Sequence, residues 1–292
     1  MISVFTPAYN RAYILPVLYQ SLKRQTCNDF EWIIVDDGSS DDTEKLVCSW
    51  QEEAKDFIIN YQKQSNGGKH TAINYGVTLA RGEWFFIVDS DDHLLTDAIE
   101  KINKWTSVDL PKEIAGVSGT RCYSNRCTIG GNVKFSGEYL DCKNTERRKY
   151  GLLGDKAEVY RTNILKKYPF PVFEGERFLS ECAVWDKIAL EGYKVRWYNE
   201  PLTVCEYLND GLTAKVNSAD LEVKNFEGYT YVAKQRAKAY SGLEKLRYLC
   251  AYIKLSKRKG LNCKETAQKI DVSLAIIWCL TIVVILKEKV RR

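Results

Sequence analysis

A chain of 292 residues can bury a full hydrophobic core, and 45% hydrophobic with 28% charged residues is an ordinary globular balance, which argues against a disordered or fibrous polypeptide. The net charge of +5 is unevenly placed, with 16 Lys and Arg against 5 Asp and Glu from Lys224 onward and a net acidic chain before that point. An acidic front and a basic tail suggest two jobs, the tail being suited to an anionic lipid or an acidic substrate; no nucleic-acid-binding module accompanies the charge, so nucleic acid is not an expected partner.

Residues 2–6 form a short apolar run ending at Pro7, the first expected strand. Residues 12–24 carry Ile14, Leu15, Leu18 and Leu22 at helical spacing, with Pro16 tolerable only near the first turn. A second strand is expected over 30–35. It ends in the turn cluster Asp36-Asp37-Gly38-Ser39-Ser40, which leads into a helix over about 42–54. A third strand (57–61), a third helix (69–80) and a fourth strand (84–88) follow. Continuous apolar strands separated by helices indicate a mostly parallel sheet covered on both faces. Ligands of such a Rossmann-like α/β half sit at the carboxyl ends of the strands.

Beyond Lys101 the alternation weakens. A strand is expected over 114–117, a loop or β-excursion over the polar stretch 124–150, a helix over 178–190, and short strands over 195–197 and 202–205. From 217 the pattern is mainly helical and basic. Within it, 272–286 is a run of 15 uncharged residues, shorter than the ~20 that a bilayer-spanning helix needs. It suits a buried helix or one lying on a membrane.

The ten cysteines are scattered without a CxxC pair. The apolar run after Met1 is too short for a signal peptide, so reduced thiols and a cytoplasmic location are expected, at most at the cytoplasmic face of a membrane. Structural zinc is not expected, since Cys122 and Cys127 lack a second close pair and His70 and His93 are the only histidines.

Three polar clusters fall where the sheet rule puts a ligand: Thr6-Pro7-Ala8-Tyr9-Asn10-Arg11, Asp36-Asp37-Gly38-Ser39, and Asp89-Ser90-Asp91-Asp92. Each alone reads as a turn or cap. At consecutive strand ends they mark one site. Asp89 and Asp91 are expected on the same side of an extended strand end, because side chains alternate there with a period of two.

The ordered set VFTPAYNR, IIVDDGSSDDT, QSNGGKHTAINYG and FFIVDSDD resembles the nucleotide-binding half of the family 2 glycosyltransferases, which have the GT-A fold. The resemblance is close over 1–95 and looser to about 213. It implies a GT-A domain over 1–216, with a nucleotide-binding half (1–95) and an acceptor half (96–216), followed by a basic helical extension over 217–292. The implied activity is inverting transfer of a sugar from a nucleotide-diphosphate donor to a hydroxyl of a saccharide or lipid-linked saccharide. UDP-sugar is the first donor expected, with dTDP- or GDP-sugar as alternatives.

The resemblance also assigns roles. Asp37 takes the base-reading position, backbone around Thr6, Pro7 and Ala8 lines the nucleoside pocket, and Tyr9 is its neighbour. Asn66, Gly67 and Gly68 approach the diphosphate, and Lys69 supplies a compensating cation. In the DxD segment Asp89 and Ser90 lie near the ribose, and Asp91 takes a Mn²⁺ or Mg²⁺ ion, which suits carboxylate and phosphate oxygens. Asp36 is expected to stabilise its turn, Asp92 to cap the next helix, and His93 to be exposed. Aligning Trp185 and Lys187 with the family's aromatic and basic positions places Glu181 as the base that takes the acceptor proton, although the family's usual Glu-Asp pair is absent; Asp186 is the alternative. Residues 206–213 resemble the segment that follows the base helix. Trp185, Trp197 and Tyr207 are of a type that stacks on sugars or fills cores.

Two other readings stand beside this one. A sugar-nucleotide pyrophosphorylase shares the fold class but carries a Gly-rich GxGxR-type loop where this chain has Pro-Ala-Tyr-Asn-Arg. A catalytically inactive nucleotide-sugar-binding protein would keep the site and lose the base.

Overall fold

The computed structural model describes residues 1–131, 133–205 and 219–290. Its first half alternates β1 (Ile2–Ala8), α1 (Leu15–Lys23), β2 (Phe30–Asp36), α2 (Thr43–Glu53), β3 (Ile58–Lys63), α3 (Lys69–Leu79) and β4 (Trp84–Ile87). These strands pair in parallel, β1 with β2 and β4, and β2 with β3. Val4, Trp32, Ile34 and Phe86 enter one buried cluster, and Phe5, Ile33, Val35 and Phe85 enter another. That is the period-two alternation of a sheet dry on both faces. Leucines of α1, Val47 and Trp50 of α2 close the first cluster; Ala72, Ile73 and Val77 of α3 close the second.

The second half contains β5 (Asp92–Leu94), α4 (Ala98–Thr106), β6 (Ile114–Cys122), β7 (Tyr139–Cys142), a 3-10 helix (Asn144–Tyr150), β8 (Lys156–Arg161), α5 (Thr162–Lys167), α6 (Cys182–Leu190) and β9 (Lys194–Cys205). The nine strands of the described residues share one sheet in the order β3-β2-β1-β4-β8-β6-β9-β5, with β7 beside β9. β8 runs antiparallel between β4 and β6 and so welds the halves together.

Several boundaries differ from the sequence reading, each for a local reason. α1 starts at Leu15, not at 12, because Pro16 occupies its first turn. The two short strands expected over 195–205 are the single strand β9, whose register against β6 shifts around Pro201. β8 escapes the pattern because Lys156 is buried within it, its ammonium held by the carbonyls of Ile129, Leu153 and Asp155. Buried charge also occurs on β2: Glu31 accepts from Ser3 Oγ at 2.7 Å and from the Arg81 backbone and guanidinium at 2.8 Å. Burial pushes its carboxyl up, but these hydrogen bonds outweigh that and hold it below the ordinary value.

The C-terminal region is helical: α7 (Ala219–Lys224), α8 (Phe226–Ala239), α9 (Gly242–Arg258), α10 (Cys263–Ile270) and α11 (Leu274–Val290). These helices share a core of their own around Leu249, Tyr252, Ile253, Ile270, Ile277 and Val284, and α8 packs on α6. Among the described residues no helix is long and apolar enough to cross a membrane. All ten cysteines are free thiols.

One glycine shows how tightly the sheet is packed. A Cβ on Gly76 of α3 would stand 2.2 Å from the Phe5 ring, which is fully buried and stacked on Phe85. Gly76→Ala is expected to destabilise the protein by ~1–3 kcal/mol, the usual cost of overpacking a core. The check is the urea midpoint of unfolding, which should fall; an unchanged midpoint would show that Phe5 can move aside.

Candidate active site

The carboxyl ends of β1, β2 and β4 open onto one cleft of about 990 Å³. The loops after β1 and β2 are cross-linked there. Asn10, in the left-handed region at φ +53°, donates its backbone N–H to Ser39 Oγ and accepts the Ser40 N–H on Oδ1, both at 2.8 Å. Asp36 is fully buried and stabilises its turn as expected, accepting the Ser39 N–H at 2.6 Å and the Tyr61 hydroxyl at 2.7 Å.

Asp37 lines the cleft and organises the next loop. Its Oδ1 accepts from Gln64 Nε2 (2.7 Å) and the Gly67 N–H (2.9 Å), and its Oδ2 accepts the Gly68 N–H (2.8 Å). Pro7, Ala8, Tyr9, Asn66, Gly68 and Lys69 line the same cleft. Thr6 does not: it is buried, and its Oγ1 accepts the Trp32 indole N–H at 3.0 Å inside the core.

The DxD segment departs from the expected geometry. β4 ends at Ile87, and the Asp92 N–H donates to the Asp89 carbonyl at 3.0 Å, closing a turn over 89–92. Asp89 and Asp91 therefore belong to a turn rather than to alternate positions of one extended strand. Asp92 is not a helix cap; it opens β5 and pairs with Arg121 at 2.8 Å, while α4 is preceded by Asp97. His93, half-buried on β5, does not line the cleft.

Two cations hold these acids together. Lys69 Nζ lies 2.5 Å from Asp89 Oδ1 and 2.6 Å from Glu181 Oε1, so it is a bridge and not a solvated lysine at a helix start. Burial disfavours its charge, but the two carboxylates outweigh that and raise its pKa. Arg121, which the sequence reading missed, also lies 3.6 Å from Asp89 and donates through Nε to the Lys156 carbonyl at 2.9 Å. Burial pushes Asp89 up, yet Lys69 and Arg121 hold it down to about 2. Burial moves Asp92 the other way, to about 7, against the pull of Arg121. Asp91, half-buried, is raised by burial and then by the charge of Asp89.

No three His, Cys, Asp or Glu side chains converge as a metal cage among the described residues. Asp91, crowded by a second carboxylate, fits instead a cation that takes its remaining ligands from substrate phosphates, as Mg²⁺ commonly does.

Glu181 immediately precedes α6, which begins at Cys182 and not at the expected 178. Its approach is held by the C-terminal helices. Asn225 Oδ1 accepts the N–H groups of Arg177 (2.9 Å) and Phe178 (2.8 Å), and the Glu176 carboxylate accepts those of Glu227 (2.7 Å) and Gly228 (2.8 Å). No local sequence signal marks this long-range clamp. Asp186 also lines the cleft but is 1% exposed and hydrogen-bonded by Asn144, so Glu181 is the more accessible carboxylate. Trp197 is buried in the core and Trp185 stacks on Tyr160 at 4.2 Å. Tyr207 and the whole of the 206–213 segment lie outside the described residues.

Gly68 joins the two sides. It has φ +94°, and a Cβ there would stand 2.0 Å from the Arg177 carbonyl oxygen. Gly68→Ala is expected to push the 177–181 segment away and separate Glu181 from Lys69, lowering turnover at least ~100-fold, the scale of a misplaced group in an active site. Initial-rate measurement beside a thermal melt checks this; a fully active variant would show that the close approach is dispensable.

Residues 3–161 match the family model described as Glycosyl transferase family 2. The chain is 30% identical over 193 residues to the GalNAc(5)-diNAcBac-PP-undecaprenol beta-1,3-glucosyltransferase of Campylobacter jejuni, covering 63% of this chain and 58% of that protein. It is 31% identical over 115 residues to a PGL/p-HBAD biosynthesis glycosyltransferase of Mycobacterium bovis, covering 39% of this chain and 44% of the relative. The chain thus spans about half the length of these relatives. Among solved structures, S. aureus TarS 1-349 in complex with UDP-GlcNAc superposes with a TM-score of 0.65 at 18% identity, over 92% of this chain and 78% of that one. The mannosyltransferase PcManGT from Pyrobaculum calidifontis, in complex with GDP-Man and Mn²⁺, gives 0.54 at 19% identity, over 96% and 86%. With the family model covering more than half of its length and the strand-end cleft in place, the chain belongs to glycosyl transferase family 2 and has the GT-A fold.

Proposed function

We propose that the protein is an inverting glycosyltransferase that moves a sugar from a UDP-sugar to a hydroxyl of a saccharide or lipid-linked saccharide. The observation that carries this reading is the Lys69 bridge between Asp89 and Glu181. It puts a cation suited to a diphosphate and a carboxylate suited to a proton in contact at the strand ends. The UDP-GlcNAc in the TarS structure supports the donor class, and the undecaprenol-linked substrate in the Campylobacter relative's name supports the acceptor class.

Donor binding has a direct electrostatic effect. A diphosphate entering at Asn66, Gly68 and Lys69 competes with Glu181 for the ammonium group. The carboxylate so released accepts the acceptor's hydroxyl proton as the oxygen attacks the anomeric carbon. The new C–O bond forms on the face opposite the breaking sugar–phosphate bond, and the nucleoside diphosphate leaves with the bond electrons, its charge met by Lys69. Asp37 reads the base, Pro7 and Ala8 line it beside Tyr9, and Asp89 and Ser90 hold the ribose side. Asp91 would hold Mn²⁺ or Mg²⁺, which when bound neutralises diphosphate charge.

Glu181→Gln is expected to bind UDP at least as tightly as the wild type, since the carboxylate that competes for Lys69 is gone, while transfer falls ~100- to 10,000-fold, the usual range for a lost general base. Calorimetry with UDP and a radiolabelled-sugar transfer assay check the two halves; full activity would move the base elsewhere. In the same calorimeter Mn²⁺ should tighten UDP binding to the wild type but not to Asp91→Asn, and equal tightening in both would remove the metal role from Asp91.

A lipid-linked acceptor also gives a role to α11. Ile277 and Val284 face the helical core, while Leu274, Trp278, Ile282 and Leu286 remain exposed, Trp278 at 60%. An apolar helix face with a tryptophan in a basic region fits shallow insertion at an anionic membrane surface. The full chain is expected to float with phosphatidylglycerol vesicles, and Trp278→Ser/Leu286→Ser to stay in the soluble fraction. Equal flotation of the variant would sink this assignment.

A further inference from the structure

The inner end of the cleft carries polar groups that the mechanism leaves unused. Asn144 of the 3-10 helix and Asp186 of α6 are 8% and 1% exposed. Asn144 Nδ2 donates to Asp186 Oδ1 at 2.8 Å. This bond spends only part of each side chain: Asn144 Oδ1 and Asp186 Oδ2 have no hydrogen-bond partner among the described residues. Arg236, from α8, approaches the same point. Its Nη2 donates to Cys182 Sγ at 3.2 Å, but its Nε lies 3.6 Å from Asp186 Oδ2 and has no acceptor among the described residues. At that separation the two attract by charge without forming a hydrogen bond.

Buried polar groups are normally paired, so three residues of the cleft lining that each keep an atom without a hydrogen bond, two of them joined only as an ion pair, mark a place where a polar ligand can complete the set. Their chemistry restricts what that ligand is. Two are acceptors and one is a donor, so a simple anion would face two oxygens and a simple cation would face a guanidinium. A hydroxyl both donates and accepts, and a pair of neighbouring hydroxyls can serve all three. The adjoining wall is aromatic. The Arg236 guanidinium lies 4.4 Å from the centroid of the Tyr248 ring, and the Tyr240 ring is 4.8 Å from that of Tyr248. Both tyrosines line the cleft, offering apolar faces with polar tips. A sugar ring presents the matching pair of surfaces, hydroxyls at its edge and C–H groups on its face.

We propose that Asn144, Asp186 and Arg236 form a saccharide subsite that reads ring hydroxyls, built jointly by α6, the 3-10 helix and the C-terminal helices. The inference rests on the transferase reading above. Asp186 is five residues beyond Glu181, a helical rise of about 7.5 Å, and both line the cleft, so a ring held by Asp186 shares that cleft with the base. The sugar of the donor and the sugar of the acceptor have the same chemistry, and the experiment separates them.

Full-length wild type, Asn144→Ala and Asp186→Asn/Arg236→Gln are titrated in a calorimeter with UDP, with UDP-GlcNAc, UDP-glucose and UDP-galactose, and with the octyl glycosides of the same three sugars. The double variant removes both charges together, so neither is left buried alone, and Asn144→Ala provides an independent test should the double variant fail to fold. UDP affinity should stay within twofold in every folded variant. The preferred UDP-sugar should bind at least tenfold more weakly if the subsite holds the donor sugar, and the preferred octyl glycoside should do so if it holds the acceptor. Variants that bind every sugar ligand as the wild type does would overturn the subsite. So would a wild type that binds UDP-sugars no better than UDP and binds no octyl glycoside. A wild type that fails to bind UDP at all would overturn the transferase reading instead.

Discussion

One ammonium group joins the two sides of the cleft. Lys69 starts α3 in the nucleotide half, and its Nζ touches Asp89 after β4 and Glu181 before α6. Three segments far apart in sequence are thus held on one charge, and the low position of Asp89 follows from that charge together with Arg121. The contact can form only because Gly68, with φ +94°, lets the Arg177 carbonyl pass where any side chain would stand. Backbone permissiveness and electrostatics meet at adjacent residues.

Much of the nucleotide half was legible because its strands are buried on both faces and read as apolar runs, 30–35 being the clearest. That the residues after these strands line one cleft was legible for the same reason, since their place follows from where the strands stop. The geometry inside the DxD segment was not. The period-two rule holds only in extended backbone, and a single bond from the Asp92 N–H to the Asp89 carbonyl replaces extension with a turn.

The second half was harder because its stability depends on partners distant in the chain. Arg121 looks like an interruption of an apolar strand until Asp92 and Asp89 are seen beside it. Lys156 hides β8 in the same way, being a charge in a core position that backbone carbonyls satisfy. Glu181 was singled out through family resemblance and not through any local pattern, and the structure sets it in the cleft.

The composition of the chain changes near residue 217, yet the hydrogen bonds ignore that border. Asn225 holds the two amides just ahead of the Glu181 segment, and Glu176 holds the start of α8. A fragment ending at 216 would keep every motif of the nucleotide half and lose the scaffold that holds the approach to Glu181. The place where the sequence suggests a cut is therefore a place where the molecule has no seam, and a fragment that keeps the Glu181 approach in place has to include α8.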